Sequence, residues 1–209
     1  MKNITEYKVI LWDFDGVIMD SMPIRGIGFR EVLKYYPKEQ VENLLIFHEQ
    51  NGGLSRYVKF RHFFEKIRGE EITNQKVLDL ADEFSKIMMS FLIDEKLLIE
   101  DSIDFIKKNY LNYNMHIVSG SDGNELRQIC EGLKIDNYFK SINGSPIHKT
   151  ELVRQVIETN NYNKEEVVLI GDSINDSEAA QVNDITFVGY NNLDLLKINS
   201  NYIYCLALL

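Results

Sequence analysis

The chain has 209 residues, enough to bury one good core with length left for a small second domain. It is 44% hydrophobic and 26% charged, the composition of an ordered globule. With 23 basic against 32 acidic residues the net charge is −9, which argues against nucleic acid or an anionic membrane surface as partner. Cys130 and Cys205 are the only cysteines and lack metal-ligand spacing, so a reducing compartment is expected and a disulfide framework is not. Met1 to Lys8 is too polar for a signal peptide, and no apolar run approaches about 18 residues. These features predict a cytoplasmic protein.

In chain order, the first clear element is Val9-Ile-Leu-Trp12, four apolar residues that read as a strand buried on both faces. Asp13 and Asp15 follow at a spacing of two, with Gly16 behind them. In an extended chain i and i+2 point the same way, so both acids are expected to face one pocket. Asp20-Ser-Met-Pro23 then supplies cap residues and an early proline for a helix. From 22 to 95 apolar residues recur at helical spacing: Tyr57, Phe60, Phe64 and Ile67, then Val77, Ala81, Phe84, Met88 and Phe91. Gly52-Gly-Leu-Ser-Arg56 interrupts this stretch as a loop leading into a helix. Residues 22–95 are therefore expected to form a helical insertion, splitting a main domain of residues 1–21 and 96–209.

Strand and helix then alternate. Ile103 to Tyr110 reads as a helix, Met115 to Val118 as a buried strand ending in Ser119-Gly120-Ser121, and Leu126, Ile129, Cys130 and Leu133 as a helix face. Tyr138 to Ile142 is expected as a short strand before the turn Asn143-Gly-Ser-Pro146, with Lys149 at the start of the next helix. Val167 to Ile170 is another doubly buried strand, followed by Gly171-Asp172-Ser-Ile-Asn-Asp176. Ile185 to Val188 reads as a further strand, and Tyr202 to Leu209 as a packed apolar tail. The alternation predicts an α/β fold with a parallel, Rossmann-like sheet and right-handed crossovers.

Polar residues thus follow, or lie near, several strand ends, where open α/β sheets bind ligands. Paired carboxylates stay ionised together only beside a cation, and a hard cation with oxygen ligands suggests Mg²⁺. A phosphoryl group needs such a cation, an ammonium and hydrogen-bond donors around its oxygens. Asp13 and Asp172, with the main-chain carbonyl of Asp15, are the expected Mg²⁺ ligands. Lys149 would neutralise nucleophile and phosphate, and Gly16, Ser119 and Gly120 would meet the phosphate. Each residue also has a plainer reading. Asp172 and Asp176 suit a helix N-terminus, Ser119 a turn, and Lys149 the surface. Arg56 suits a helix start, and His48, His62 and His116 ordinary structural positions.

The ordered set Asp13-Phe-Asp15-Gly-Val, Val118-Ser119-Gly120, Lys149 and Gly171-Asp172-Ser-Ile-Asn-Asp176 resembles the haloacid dehalogenase-like superfamily over almost the whole chain. The resemblance is to its phosphatases with a helical cap inserted after the first motif, the phosphoglycolate phosphatase and β-phosphoglucomutase branch. It implies a Rossmann-like core closed by the cap and Asp13 as a nucleophile forming an aspartyl-phosphate. It also makes Asp15 the acid for the leaving alcohol and then the base for water. Asp172 and Asp176 become metal ligands, with Asp176 either a direct or an outer ligand. Gly53-Leu-Ser-Arg56 resembles the β-phosphoglucomutase cap loop, which implies a contact of Arg56 with substrate. The implied partner is a small phosphorylated metabolite, and a monomer or weak homodimer is expected. A phosphomutase and a catalytically silent phospho-ligand-binding protein are the alternatives. Phosphonate hydrolases use a cap lysine as a Schiff base, and spacing does not choose among Lys34, Lys38, Lys59 and Lys66.

Overall fold

β1 (Val9–Trp12) sits in the middle of the sheet, and its four side chains are buried alternately in two clusters. Ile10 and Trp12 pack into one cluster, Val9 and Leu11 into the other, as the two-residue period of a strand requires. An unbroken apolar run is what a strand covered on both faces needs. The computed structural model describes residues 4–198 and 201–208.

After β1 come four helices: α1 (Met22–Val32), α2 (Lys38–Gln50), α3 (Arg56–His62) and α4 (Asn74–Leu92). α3 runs on through a π-helical turn, Phe63–Arg68. No strand is assigned between α1 and α4. α5 (Glu100–Asn109), β2 (Asn114–Asp122), α6 (Gly123–Gly132) and β3 (Ser141–Ser145) follow. Then come α7 (Lys149–Thr159), β4 (Val167–Gly171), α8 (Ile174–Val182), β5 (Thr186–Tyr190) and the short β6 (Tyr202–Ile203). The sheet order is β3-β2-β1-β4-β5-β6, and every pair is parallel. Trp12 is in register with Ile117 of β2 and Ile170 of β4, so β1 and β4 end within one residue of the same level while β2 runs on. The chain builds outward from β1 in both directions, which opens a crevice beyond the carboxyl ends of β1 and β4.

The two chain crossings between sheet and helical stretch lie side by side. Met19 forms an antiparallel bridge with Leu98, Asp20 N donates to Leu97 O at 2.8 Å, and Ile99 N donates to Ile18 O at 2.9 Å. Within the helices the core is aromatic: Phe29 lies 5.3 Å from Phe60 and 4.6 Å from Phe84, ring centre to ring centre. His62 stacks on Phe47, and His116 sits between Ser141 and Tyr162.

The fold matches the expected α/β parallel sheet, with local differences that have causes. β2 runs on past Val118 to Asp122, with a register irregularity against β3. β3 begins later than expected, because Asp136–Tyr138 is a tight 3₁₀ turn and Asn143-Gly-Ser145 is strand rather than turn. The Asn143 amide donates to Ile117 O at 3.1 Å and Ser141 Oγ at 2.7 Å, which ties this polar edge strand to the sheet. On α4, Leu92 closes the apolar stripe and Phe91 is half exposed. In the tail Tyr202, Ile203 and Leu206 are buried, whereas Tyr204 and Leu208 are exposed and Leu209 lies outside the described residues. No helix among the described residues is long and apolar enough to cross a membrane.

Phe60 is fully buried between Phe29 and Phe84. Phe60→Ala is expected to cost about 3–5 kcal/mol in urea unfolding, the range for a large core aromatic replaced by alanine.

Candidate active site

Asp13 is the first residue beyond β1, and its N–H still completes the ladder by donating to Ile170 O at 2.9 Å. Asp172 is the first residue beyond β4. The two approach because of Gly16, whose φ is +80° and whose missing side chain leaves the space Asp172 fills. A Cβ at that position would lie 2.0 Å from Asp172 Oδ2. Asn191 and Asn192, just after β5, hold the backbone of both segments through Gly16 O at 3.0 Å and Asp172 O at 2.7 Å.

Asp176 lies in the first turn of α8, where Ser173 caps the helix. Its Oδ2 accepts from Ser173 N at 3.0 Å and Ser173 Oγ at 2.6 Å, and its Oδ1 accepts from Lys149. Lys149 is the first residue of α7, and it also donates to Asp13 Oδ1 at 2.7 Å. This one ammonium therefore ties the ends of three elements together.

One oxygen each from Asp13, Asp172 and Asp176 lie within 4.8 Å of one another, with Lys149 as the cation between Asp13 and Asp176. Burial and the neighbouring Asp176 push the Asp13 carboxyl up to about 7 against the pull of Lys149. Burial and Asp13 hold Asp172 well above the usual carboxylate range, while burial pulls Lys149 down and Asp13 and Asp176 outweigh it and push the ammonium up. Three carboxylates against one ammonium leave the cluster short of positive charge. A hard divalent cation with oxygen ligands, such as Mg²⁺, fits this donor set.

Asp15 has a different environment. Its carboxylate accepts from Ser21 Oγ, from Ser121 Oγ at 2.5 Å and from Arg25 Nε at 2.6 Å. Burial opposes its ionisation, but Arg25 and the two hydroxyls prevail and hold it at about 2. Its side chain is therefore committed away from the carboxylate cluster, and only its main-chain carbonyl is left for a metal. The Gly16 N–H donates to Met19 O at 2.7 Å, so it is not a free donor. The Ser119 hydroxyl is buried and accepts from Ser121 N at 3.1 Å. Gly120 lies under the loop of residues 51–55: a Cβ there would stand 2.3 Å from Gly53 O.

Arg56 does not stand free. It makes two hydrogen bonds to Glu125, at 2.6 and 2.7 Å, donates to Ser85 Oγ at 2.6 Å and lies over the Phe84 ring. Glu125 also accepts from Arg25 at 3.0 Å. Sequence reading missed Arg25, Ser21, Ser121 and Glu125. Arg25 stands one turn after Ser21, and Ser121 two residues after Ser119, so spacing carried a signal for both. Glu125 follows Asp122 in a helix-capping pattern that hid its other use. Lys59 and His48 complete a narrow pocket of about 20 Å³ beside Asp15, and a wider cleft of about 600 Å³ opens past Asp172, Ser173, Gly52 and Asn192.

The family model described as haloacid dehalogenase-like hydrolase matches residues 10–190. A phosphoglycolate phosphatase from Colwellia psychrerythraea is 24% identical over 198 residues, covering 89% of this chain and 85% of that protein. A phosphorylated carbohydrates phosphatase from Thermotoga maritima is 24% identical over 182 residues, covering 83% and 80%. The solved β-phosphoglucomutase from Clostridium difficile superposes with a TM-score of 0.75 over 97% of this chain and 93% of that one. At 18% identity that last likeness speaks for the fold alone.

Metal binding at this cluster would carry a pH signature. The folded protein keeps a proton on Asp13 up to about 7, whereas the unfolded chain releases it near 3.8. In metal-free buffer this contribution to stability is present at acid pH and lost as pH rises through that window. Mg²⁺ favours the ionised acids, so it is expected to raise the melting temperature more at about pH 8 than at about pH 5. Asp172→Asn is expected to shrink the shift. Equal shifts at both pH values in calorimetry would count against Mg²⁺ binding at this cluster.

Proposed function

Because the chain belongs to the haloacid dehalogenase-like hydrolase family and groups with its phosphoric monoester hydrolases, we propose that it hydrolyses a small soluble phosphomonoester through a phosphorylated Asp13. The observation that carries this reading is the Asp13 carboxylate at the carboxyl end of the central strand, bound by Lys149 at 2.7 Å within the acidic cluster. Lys149 fixes Oδ1 and leaves Oδ2 for attack at phosphorus. Asp13, Asp172 and Asp176, with the carbonyl of Asp15, would hold Mg²⁺, which would neutralise charge on the phosphoryl oxygens.

In the first step an Asp13 oxygen forms a bond to phosphorus as the bond to the leaving oxygen breaks. Asp15 gives that oxygen its proton. In the second step Asp15 takes a proton from water, the water oxygen bonds to phosphorus, and the acyl-phosphate bond breaks to restore Asp13. The Ser119 hydroxyl and the backbone near Gly120 face a non-bridging oxygen. Residues 22–95 act as a cap: the loop of residues 51–55 touches Gly120, Ser173 and Asn175, and so covers the site. Such a cover excludes water while the leaving group departs.

Phosphate release from a panel of small phosphomonoesters tests this. It is expected to require Mg²⁺, and Asp13→Asn is expected to lower kcat by at least about a thousandfold, the scale of losing a nucleophile. Residual turnover by Asp13→Asn near the unmutated rate would overturn the mechanism. An isomerised sugar phosphate without free phosphate would point to a phosphomutase instead.

A further inference from the structure

The helical stretch brings more positive charge to the space beside Asp15 than the acids there take up. Arg25, Arg56 and Lys59 are all at least 95% buried and line the same narrow pocket as Asp15 and Ser121. Glu125 satisfies Arg56 with two hydrogen bonds and takes one nitrogen of Arg25. Two groups remain. Arg25 Nη2 is buried with no hydrogen-bond partner. Lys59 has no carboxylate in ion-pair contact among the described residues. Its Nζ bonds to His48 Nδ1 at 2.9 Å and donates to Gly52 O at 3.2 Å, both uncharged partners, and this leaves one N–H unused.

His48 is a neutral partner for a physical reason. Burial and the adjacent Lys59 push its imidazole down to about 3, so Nδ1 accepts from the lysine. Burial also lowers the Lys59 amine to about 7, with Arg25 and Arg56 adding to the effect against the pull of Asp15. A buried ammonium with only neutral partners and an orphaned guanidinium nitrogen are both costly unless something anionic completes them. The acid proposed to protonate the leaving oxygen lines the same cavity, so the leaving group extends into it. Its volume of about 20 Å³ is on the scale of one water, which favours a compact group over a second phosphate or a sugar ring.

We propose that Lys59 and Arg25 Nη2, with His48 steadying the lysine, form a subsite for a carboxylate on the leaving group. The preferred substrates are then short phosphorylated hydroxy acids. This moves recognition of a second anion from Arg56, which Glu125 already neutralises, to Lys59. The inference rests on the phosphomonoesterase reading, and its test separates the two.

The test compares two matched pairs in the full-length protein with Mg²⁺: phosphoglycolate against 2-hydroxyethyl phosphate, and 3-phosphoglycerate against glycerol 3-phosphate. In each pair only the carboxylate is exchanged for a hydroxymethyl group. The ratio of kcat/KM, acid over neutral, is expected to be at least about tenfold in one pair, the worth of a charged hydrogen bond. Lys59→Met is expected to lower that ratio by about tenfold and Lys59→Arg to preserve much of it. Lys59→Met removes an unpaired buried charge, so it is expected to fold, with a melting temperature at or above the parent's.

Calorimetric affinities in the Asp13→Asn protein give the same ratios without turnover. Discrimination in binding with no hydrolysis would keep the subsite and overturn the phosphatase reading. Hydrolysis without discrimination in either pair, or a ratio that Lys59→Met leaves unchanged, would overturn the subsite and keep the phosphatase.

Discussion

The site depends on Lys149, a single buried ammonium at the start of α7 that binds Asp13 beyond β1 and Asp176 in the first turn of α8. Without it, two buried carboxylates would face each other with no cation, an arrangement that burial makes strongly unfavourable. The parallel register of β1 with β4 supplies the rest, because it brings Asp13 and Asp172 to one level. Gly16 then removes the one Cβ that would have kept Asp172 away. The ammonium is still too little charge for three acids, and that deficit gives the cluster its capacity for a divalent cation.

What the sequence made legible follows from locality. β1 and β4 were readable because strands covered on both faces are continuous apolar runs, and each has four or five buried residues in succession. Asp13, Lys149, Asp172 and Asp176 were readable because each occupies a strand end or a helix start, positions that local pattern marks. β3 was misjudged because an edge strand held by the Asn143 amide has no apolar alternation to show. Arg25, Glu125 and Lys59 lie 100, 69 and 11 residues from partners they touch (Glu125, Arg56 and His48), and no local pattern announces such pairs. The loop resemblance implies a substrate contact for Arg56, and in the structure its guanidinium pairs with Glu125.

Asp13 and Asp15 are two residues apart, yet their surroundings push them in opposite directions. Burial beside Asp176 raises Asp13 to about 7, and Arg25 with two hydroxyls lowers Asp15 to about 2. In the proposed reaction a metal ion at the cluster would reverse the first of these and leave Asp13 ionised for attack. The second runs against the role of a proton donor, because a carboxyl at about 2 holds no proton at neutral pH.

The conflict is resolved by where the partners of Asp15 come from. Ser121 belongs to β2 and stays with the sheet, whereas Arg25 belongs to α1, a few residues past the paired crossings at Met19 and Leu98. A substrate carboxylate at Arg25 Nη2 would draw on the guanidinium that contributes most to holding Asp15 ionised. A phosphate dianion arriving beside Asp15 pushes its pKa in the same direction. With Arg25 and both hydroxyls on its carboxylate, Asp15 is least able to act as an acid. In the proposed reaction these two substrate charges would restore the proton Asp15 must give, which ties proton supply to substrate binding rather than to bulk pH alone.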